Sequence, residues 1–274
     1  MPSWNIHIAQ VERLFERDGA VAHMVRDRNA FLLGNLVPDI YVGYMAPAVE
    51  HPRAYRITHF ATPEPIPKPR EYEFWDTYVV PLARALEQVA PHADGIIPYS
   101  SLAAEQDFVS RTHYPQRYAD AEPPAPQGCP SDATWDEAGL LRSVFDLTLG
   151  AWAHLVADNL WNTRVNEFLD AHGGRPSEAF RIKKQADFDG FGKSLALDAL
   201  PRATSRLAAA AERFPQYPID ERTLLMVVGV AHETVRTNPG GHGHPPYQLL
   251  TEEFFDATLE EAIATTDRWL SERL

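Results

Sequence analysis

The chain has one cysteine, Cys129, in 274 residues. That excludes an intrachain disulfide and thiolate-rich zinc sites of the finger or ribbon kind, so any metal must be held by imidazole and carboxylate. Basic residues are scarce as well: 25 Lys and Arg stand against 38 Asp and Glu, a formal charge of −13. The summed field repels polyanions, and duplex nucleic acid is not an expected partner. A solvated acidic surface accounts for most of the carboxylate excess, which also suits cations. The sequence holds no Gly-rich phosphate cradle, no Gly-x-Ser-x-Gly elbow and no His-Asp dipeptide. Nucleotide-fold and Ser-hydrolase activities therefore lack support, as do helical phosphohydrolases built on an adjacent His-Asp doublet. Met1-Pro2-Ser3-Trp4-Asn5-Ile6-His7 lacks the basic flank and apolar run of a secretory signal. No run of about eighteen uncharged residues suggests a transmembrane segment, and a cytoplasmic location is expected.

What is present is ordinary globular composition, 45% hydrophobic and 23% charged. One domain over 1–274 is expected, since a chain of this length can bury a single large core. Trp4, Ile8, Val11 and Phe15 recur at helical steps between Ser3, an N-cap residue, and Gly19, which predicts an opening helix. A second helix is predicted from Val21 to Leu36, stopped by Pro38, which leaves Asp39 just past a helix end. Further helices are predicted over 72–89, in a shorter piece from Ser101, and over 135–169, 195–214, 219–236 and 251–274. The segment 135–169 is the most apolar and should be buried on most sides. Proline-rich stretches at 61–70 and 114–130 read as loops, and so does 240–246 with His242 and His244. Lys183 and Lys184 with Asp187 and Asp189 read as a solvated face turning at Gly190. Alternating strand patterns are nearly absent, so the class is all-α, a single-domain multi-helix bundle.

His154 and Asp158, four apart on the most apolar helix, project from one face, with Asn162 a turn further on. An unpaired charge there would be costly; a divalent cation, or a mutual hydrogen bond tying helices together, would compensate it. His7, Asp39 and His59 also sit among apolar neighbours, where a lone residue of this kind is more often a satisfied core residue than a ligand. Together the five supply three imidazoles and two carboxylates, a mixture that suits zinc.

The order His7, then Asp39 in Gly-Asn-Leu-Val-Pro-Asp, then Thr58-His59-Phe60, then Gly150-Ala-Trp-Ala-His154-Leu-Val-Ala-Asp158 resembles the bacterial zinc-dependent phospholipase C family. It resembles equally that family's relatives, the single-strand-specific fungal and plant nucleases. The resemblance runs from the N-terminus to Val165 and does not extend over the last hundred residues. It implies an all-helical fold and a metal-dependent hydrolase of phosphate esters acting through metal-activated water, with Asp39 as the catalytic carboxylate. One metal would be held by Asp39, His59, His154 and Asp158, and a second by His7 and a bridging Asp158. The family completes that second site with an N-terminal tryptophan; here Pro2, exposed by removal of Met1, would stand in. Ligands of a third metal are replaced, because Arg164 stands six residues after Asp158 and Arg236 four after His232. The resemblance thus implies one or two zinc ions, with two guanidinium groups holding phosphate where a third ion would sit. The expected substrate is a small-molecule or lipid phosphate ester. The other class left open is a noncatalytic metal-stabilised helical binding or scaffold protein.

Overall fold

A computed structural model describes residues 2–42, 46, 49, 51–62, 66–89, 95–102, 104, 135–238 and 240–274. Cys129, the proline-rich stretch 114–130 and most of the helix expected from Ser101 lie outside the described residues. The described elements are helical apart from one two-residue strand pair: β1, Ser100–Ser101, runs antiparallel to β2, Ala199–Leu200.

The N-terminal part comprises α1 (Trp4–Glu16), α2 (Ala20–Met24), α3 (Arg28–Gly34), α4 (Val37–Ile40) and α5 (Tyr55–Thr58). Next, α6 (Glu71–Phe74) continues through a π-helical turn, Trp75–Val79, into α7 (Val80–Glu87). The C-terminal part comprises α8 (Glu137–Ala171), α9 (Glu178–Ser194), α10 (Ser205–Glu212), α11 (Glu221–Arg236) and α12 (Glu252–Arg273). Each of these last five starts on a side-chain cap, Asp136, Ser177, Thr204, Asp220 and Thr251 in turn, which satisfies one otherwise orphaned backbone N–H.

Three expectations are corrected. The helix expected over Val21–Leu36 is two helices, because the Asp146 carboxylate on α8 accepts the N–H groups of Arg26 and Asp27 at 3.0 and 2.7 Å. Asp27 then caps α3 through Ala30 N–H, at 2.9 Å. Of the segment 195–214 only Ser205–Glu212 is helical, since Ala199 and Leu200 pair with Ser101 and Ser100. Residues 178–194 do not turn at Gly190 but form α9, where buried Asp187 accepts the N–H groups of Gln248, Leu249 and Leu250 at 2.7–2.9 Å.

α8 is the axis of the fold. By length and composition it could cross a membrane, contrary to expectation, yet 89% of its most apolar window is buried inside the protein. Its Trp161 is ringed by Phe188, Phe191, Phe254 and Phe255 at centroid distances of 5.3–6.4 Å. At the other end of α12 the Arg273 guanidinium lies 5.2–5.6 Å from the rings of Trp75, Trp152 and Trp269, joining that helix to α8 and the π turn.

The closest approach is between α3 and α8, at Gly34 and Gly150. A Cβ on Gly34 would lie 2.0 Å from the Leu147 carbonyl oxygen, and one on Gly150 would lie 2.1 Å from that of Phe31. Backbone meets backbone there, and Asn35 Nδ2 donates to the Gly150 carbonyl at 3.2 Å. Gly150→Ala is therefore expected to push the helices apart and cost about 1–3 kcal/mol, as overpacking does. Urea unfolding checks this; an unchanged midpoint would mean that the crossing relaxes freely.

Candidate metal centre

Four short pieces of chain bring five side chains together in the core around α8. His7 comes from the second turn of α1, and His154 and Asp158 from one face of α8. Asp39 lies inside α4, not just past a helix end as expected: α3 ends at Gly34, and Pro38 is accommodated in the first turn of a new helix. His59 caps the C-terminus of α5 and is followed by Phe60 at φ 53°, a left-handed conformation unusual for an aromatic residue. The Phe60 carbonyl accepts from the Arg70 backbone N–H at 3.2 Å and from its Nε at 3.0 Å, which holds the turn. Strain of this kind persists only where surrounding contacts over-determine it.

His7, His59, His154 and Asp158 are fully buried, and Asp39 is 6% exposed. His154 Nδ1 donates to the Asn35 carbonyl at 2.8 Å, which leaves its lone pair on Nε2, facing the cluster. His59 Nδ1 lies 2.8 Å from Thr58 Oγ1, whose hydroxyl donates to the Tyr55 carbonyl, so the His59 lone pair also faces inward from Nε2. The two Nε2 atoms are 3.2 Å apart. Facing lone pairs repel unless something positive lies between them, and two imidazoles on one tetrahedral zinc would stand about 3.3 Å apart.

Asp158 divides its oxygens. Oδ1 lies 3.6 Å from His7 Nε2, while Oδ2 lies 3.5 and 3.7 Å from the Nε2 atoms of His59 and His154. Asp39 Oδ1 is 3.4 Å from His59 Nε2. At 3.6 Å the His7–Asp158 pair is too long for a hydrogen bond, and both His7 ring nitrogens and Asp158 Oδ1 are buried without a hydrogen-bond partner. Unsatisfied buried polar atoms are rare enough to require a cause. Two overlapping sets, His7–Asp39–His154 and His59–His154–Asp158, each have ligand atoms close enough to hold one ion. The donors, imidazole nitrogen and carboxylate oxygen, fit zinc.

Burial, with the neighbouring His7, drives the His154 imidazole down to about 3, so it is neutral and in its metal-binding form at neutral pH. For Asp39 and Asp158 burial acts in the opposite sense, but their imidazole neighbours outweigh it and hold both carboxyls below the ordinary range.

Two residues near the cluster were not anticipated. The Tyr55 hydroxyl donates to Asp158 Oδ2 at 2.9 Å, and its ring stacks on His59 at 3.7 Å. Burial, reinforced by the Asp158 charge, pushes its phenol well above the usual range and keeps it a neutral donor. The four-residue spacing of Tyr55 and His59 was the available signal. Lys184, expected on a solvated face, is half-buried; burial lowers its ammonium against the opposing pull of Asp158.

Other candidates fall elsewhere. Arg164 is engaged by Glu261 at 2.8 Å through Nε and by Glu167 at 2.5 Å through Nη1, so the phosphate-holding role expected of it is withdrawn. Arg236 pairs with Glu233 on its own helix, at 3.1 Å through Nε, and the role expected of it is withdrawn too. His232 Nε2 donates to the Pro201 carbonyl and Asn162 Nδ2 to that of Pro67, both at 2.7 Å. His242 donates to the Thr237 carbonyl while His244 faces Glu252, so this pair does not converge on one point. Pro2 is buried just ahead of the helix that carries His7. Comparison with protein-family models, with curated proteins and with solved structures finds no match to this chain.

The shifts fix a pH dependence. Between the ordinary imidazole value of 6.5 and about 3, the unfolded chain binds a proton at His154 that the folded protein does not, so stability rises with pH across that window. The lowered Asp39 and Asp158 act in the same sense at still lower pH, contributing stability above their unfolded values that is lost on acidification. Metal-free protein is therefore expected to lose melting temperature as pH falls below 6.5, and His154→Gln to flatten the upper part of that decline. Scanning calorimetry in chelator against pH checks this; a wild-type profile flat from 7 to 4 would contradict it.

Proposed function

We propose that this chain is a metal-dependent phosphoric ester hydrolase, phospholipase C-like, that carries one or two zinc ions on His7, Asp39, His59, His154 and Asp158. The observation that carries the reading is the convergence of these buried donors with unsatisfied atoms between them. Such a cation, when bound, acidifies water and polarises a phosphoryl oxygen. The protein's own groups have distinct tasks. Asp158, with its two oxygens turned to different imidazoles, would hold the cation from both, and Tyr55 holds one of those oxygens by a hydrogen bond. The Asn35 carbonyl orients His154. Asp39, the cluster member that reaches solvent, with 9% of its side chain exposed, is the carboxylate positioned to orient water or take its proton. The substrate class is a small-molecule or lipid phosphate ester, met in the cytoplasm.

One observation favours the alternative, a noncatalytic metal-stabilised binding or scaffold protein: four of the five ligands are fully buried, as in closed structural sites. Activity separates the two. Wild-type protein purified without added metal should contain zinc, and a panel of phosphomonoesters and phosphodiesters should show hydrolysis that chelator abolishes and zinc restores. His154→Ala and Asp158→Asn should lose zinc and activity together. Zinc bound without turnover of any ester would favour the scaffold, and full zinc content in both variants would remove the site assignment.

A further inference from the structure

Asp39 is the cluster residue that reaches solvent, and Tyr41, Tyr217 and Arg53 pack on one another beside the helix that carries it. Tyr41 follows Asp39 by two residues, and Tyr217 donates its hydroxyl to the Val37 carbonyl, two residues before Asp39, at 3.3 Å. The two tyrosine rings meet edge to face at 5.1 Å. The Arg53 guanidinium lies 5.0 Å from the Tyr217 ring centre and 5.6 Å from that of Tyr41. Its backbone is fastened too, since Arg53 N–H donates to the Tyr41 carbonyl at 2.6 Å, and His51 just before it adopts a left-handed φ of 59°. Two residues further on, Tyr55 reaches Asp158. The Tyr217 phenol, raised chiefly by burial, also feels the Arg53 guanidinium and the Asp39 carboxylate, so both charges lie within electrostatic reach of it.

Arg53 is exposed, and no carboxylate pairs with it among the described residues. The other arginines near α8 are spent: Arg164 on Glu261 and Glu167, Arg142 on Asp146, and Arg213 on Glu137. Stacking on aromatic faces leaves the edge of a guanidinium, with its planar fork of donors, open to a bidentate acceptor. A chain of charge −13 repels anionic esters, so a cation held beside Asp39, with no carboxylate on it among the described residues, is where such a substrate meets attraction.

We propose that Arg53, held over Tyr217 and Tyr41, is the phosphate-recognising side chain of this site, taking two oxygens of the ester's phosphate through its fork. The proposal rests on the reading of the cluster as a metal-dependent phosphoester site. It supplies the anion-binding group that Arg164 and Arg236 do not.

The test uses the full chain loaded with zinc and titrated calorimetrically with inorganic phosphate, comparing wild type with Arg53→Gln, Arg53→Lys and the remote control Arg213→Gln. Phosphate affinity should fall about tenfold or more in Arg53→Gln, because a charge-assisted contact is lost. It should fall less in Arg53→Lys, which keeps the charge without the fork, and remain unchanged in Arg213→Gln. Zinc content and melting temperature should match wild type in all three. Vesicles of phosphatidylcholine containing phosphatidic acid distinguish the source: loss of vesicle binding in Arg53→Gln places the phosphate on a lipid, and loss confined to inorganic phosphate places it on a soluble ester. Either supports the assignment. Undiminished phosphate affinity in Arg53→Gln would overturn it and leave the metal centre standing, as would wild-type protein that takes zinc but no phosphate. Failure of wild type to take zinc would instead remove the metal reading, and this proposal with it.

Discussion

Two ionised carboxylates and three imidazoles are buried in an apolar core, and the cost of that burial is the constraint to which the rest of the structure answers. Isolated ions of this kind would each cost several kcal/mol after relaxation. Hydrogen bonds alone do not offset it here, since His7 and one oxygen of Asp158 have none. The surroundings are organised around the remaining possibilities: fixed tautomers, a neutral phenol donating to Asp158, and space between facing lone pairs for a cation.

The helix crossing makes this arrangement possible. Only because Gly34 and Gly150 lack side chains can α3 lie against α8 closely enough for the Asn35 carbonyl to reach His154 Nδ1. That single hydrogen bond decides which nitrogen of His154 faces inward. The chain then leaves α3 through Asn35 and Leu36 into α4, which delivers Asp39, so one close contact aligns two of the five cluster residues. The segment 51–60 contains two left-handed residues, His51 and Phe60, and brings Tyr55 and His59 to the cluster.

Much of this was legible in the sequence, for physical reasons that differ by element. α8 announces itself as a long run apolar on most sides, and α11 and α12 were also expected as helices over 219–236 and 251–274. The five cluster residues stood out because each is polar within an apolar neighbourhood. α9 did not, because its stretch is polar and contains Gly190 and Gly192; what holds it is Phe188 and Phe191 packing on Trp161 and Phe255, contacts distant in sequence. The extended segment before α10 was illegible for the same reason, since its partner, β1, lies a hundred residues away. Arg164 misled because six residues is not a whole number of helical turns, so it emerges on a different face from Asp158 and meets Glu261 on α12. Arg53 carries no local pattern, and Tyr55 only its four-residue spacing from His59.

The unsatisfied atoms among these five side chains call for a divalent cation. Anomalous scattering from crystals of the protein grown with zinc tests it most directly, with data on both sides of the zinc edge. A peak is expected between His154 and His59, at about 2.0–2.1 Å from imidazole nitrogen as zinc requires. Imidazoles joined to the carboxylates by water and protons, with no anomalous peak at the cluster, would contradict it.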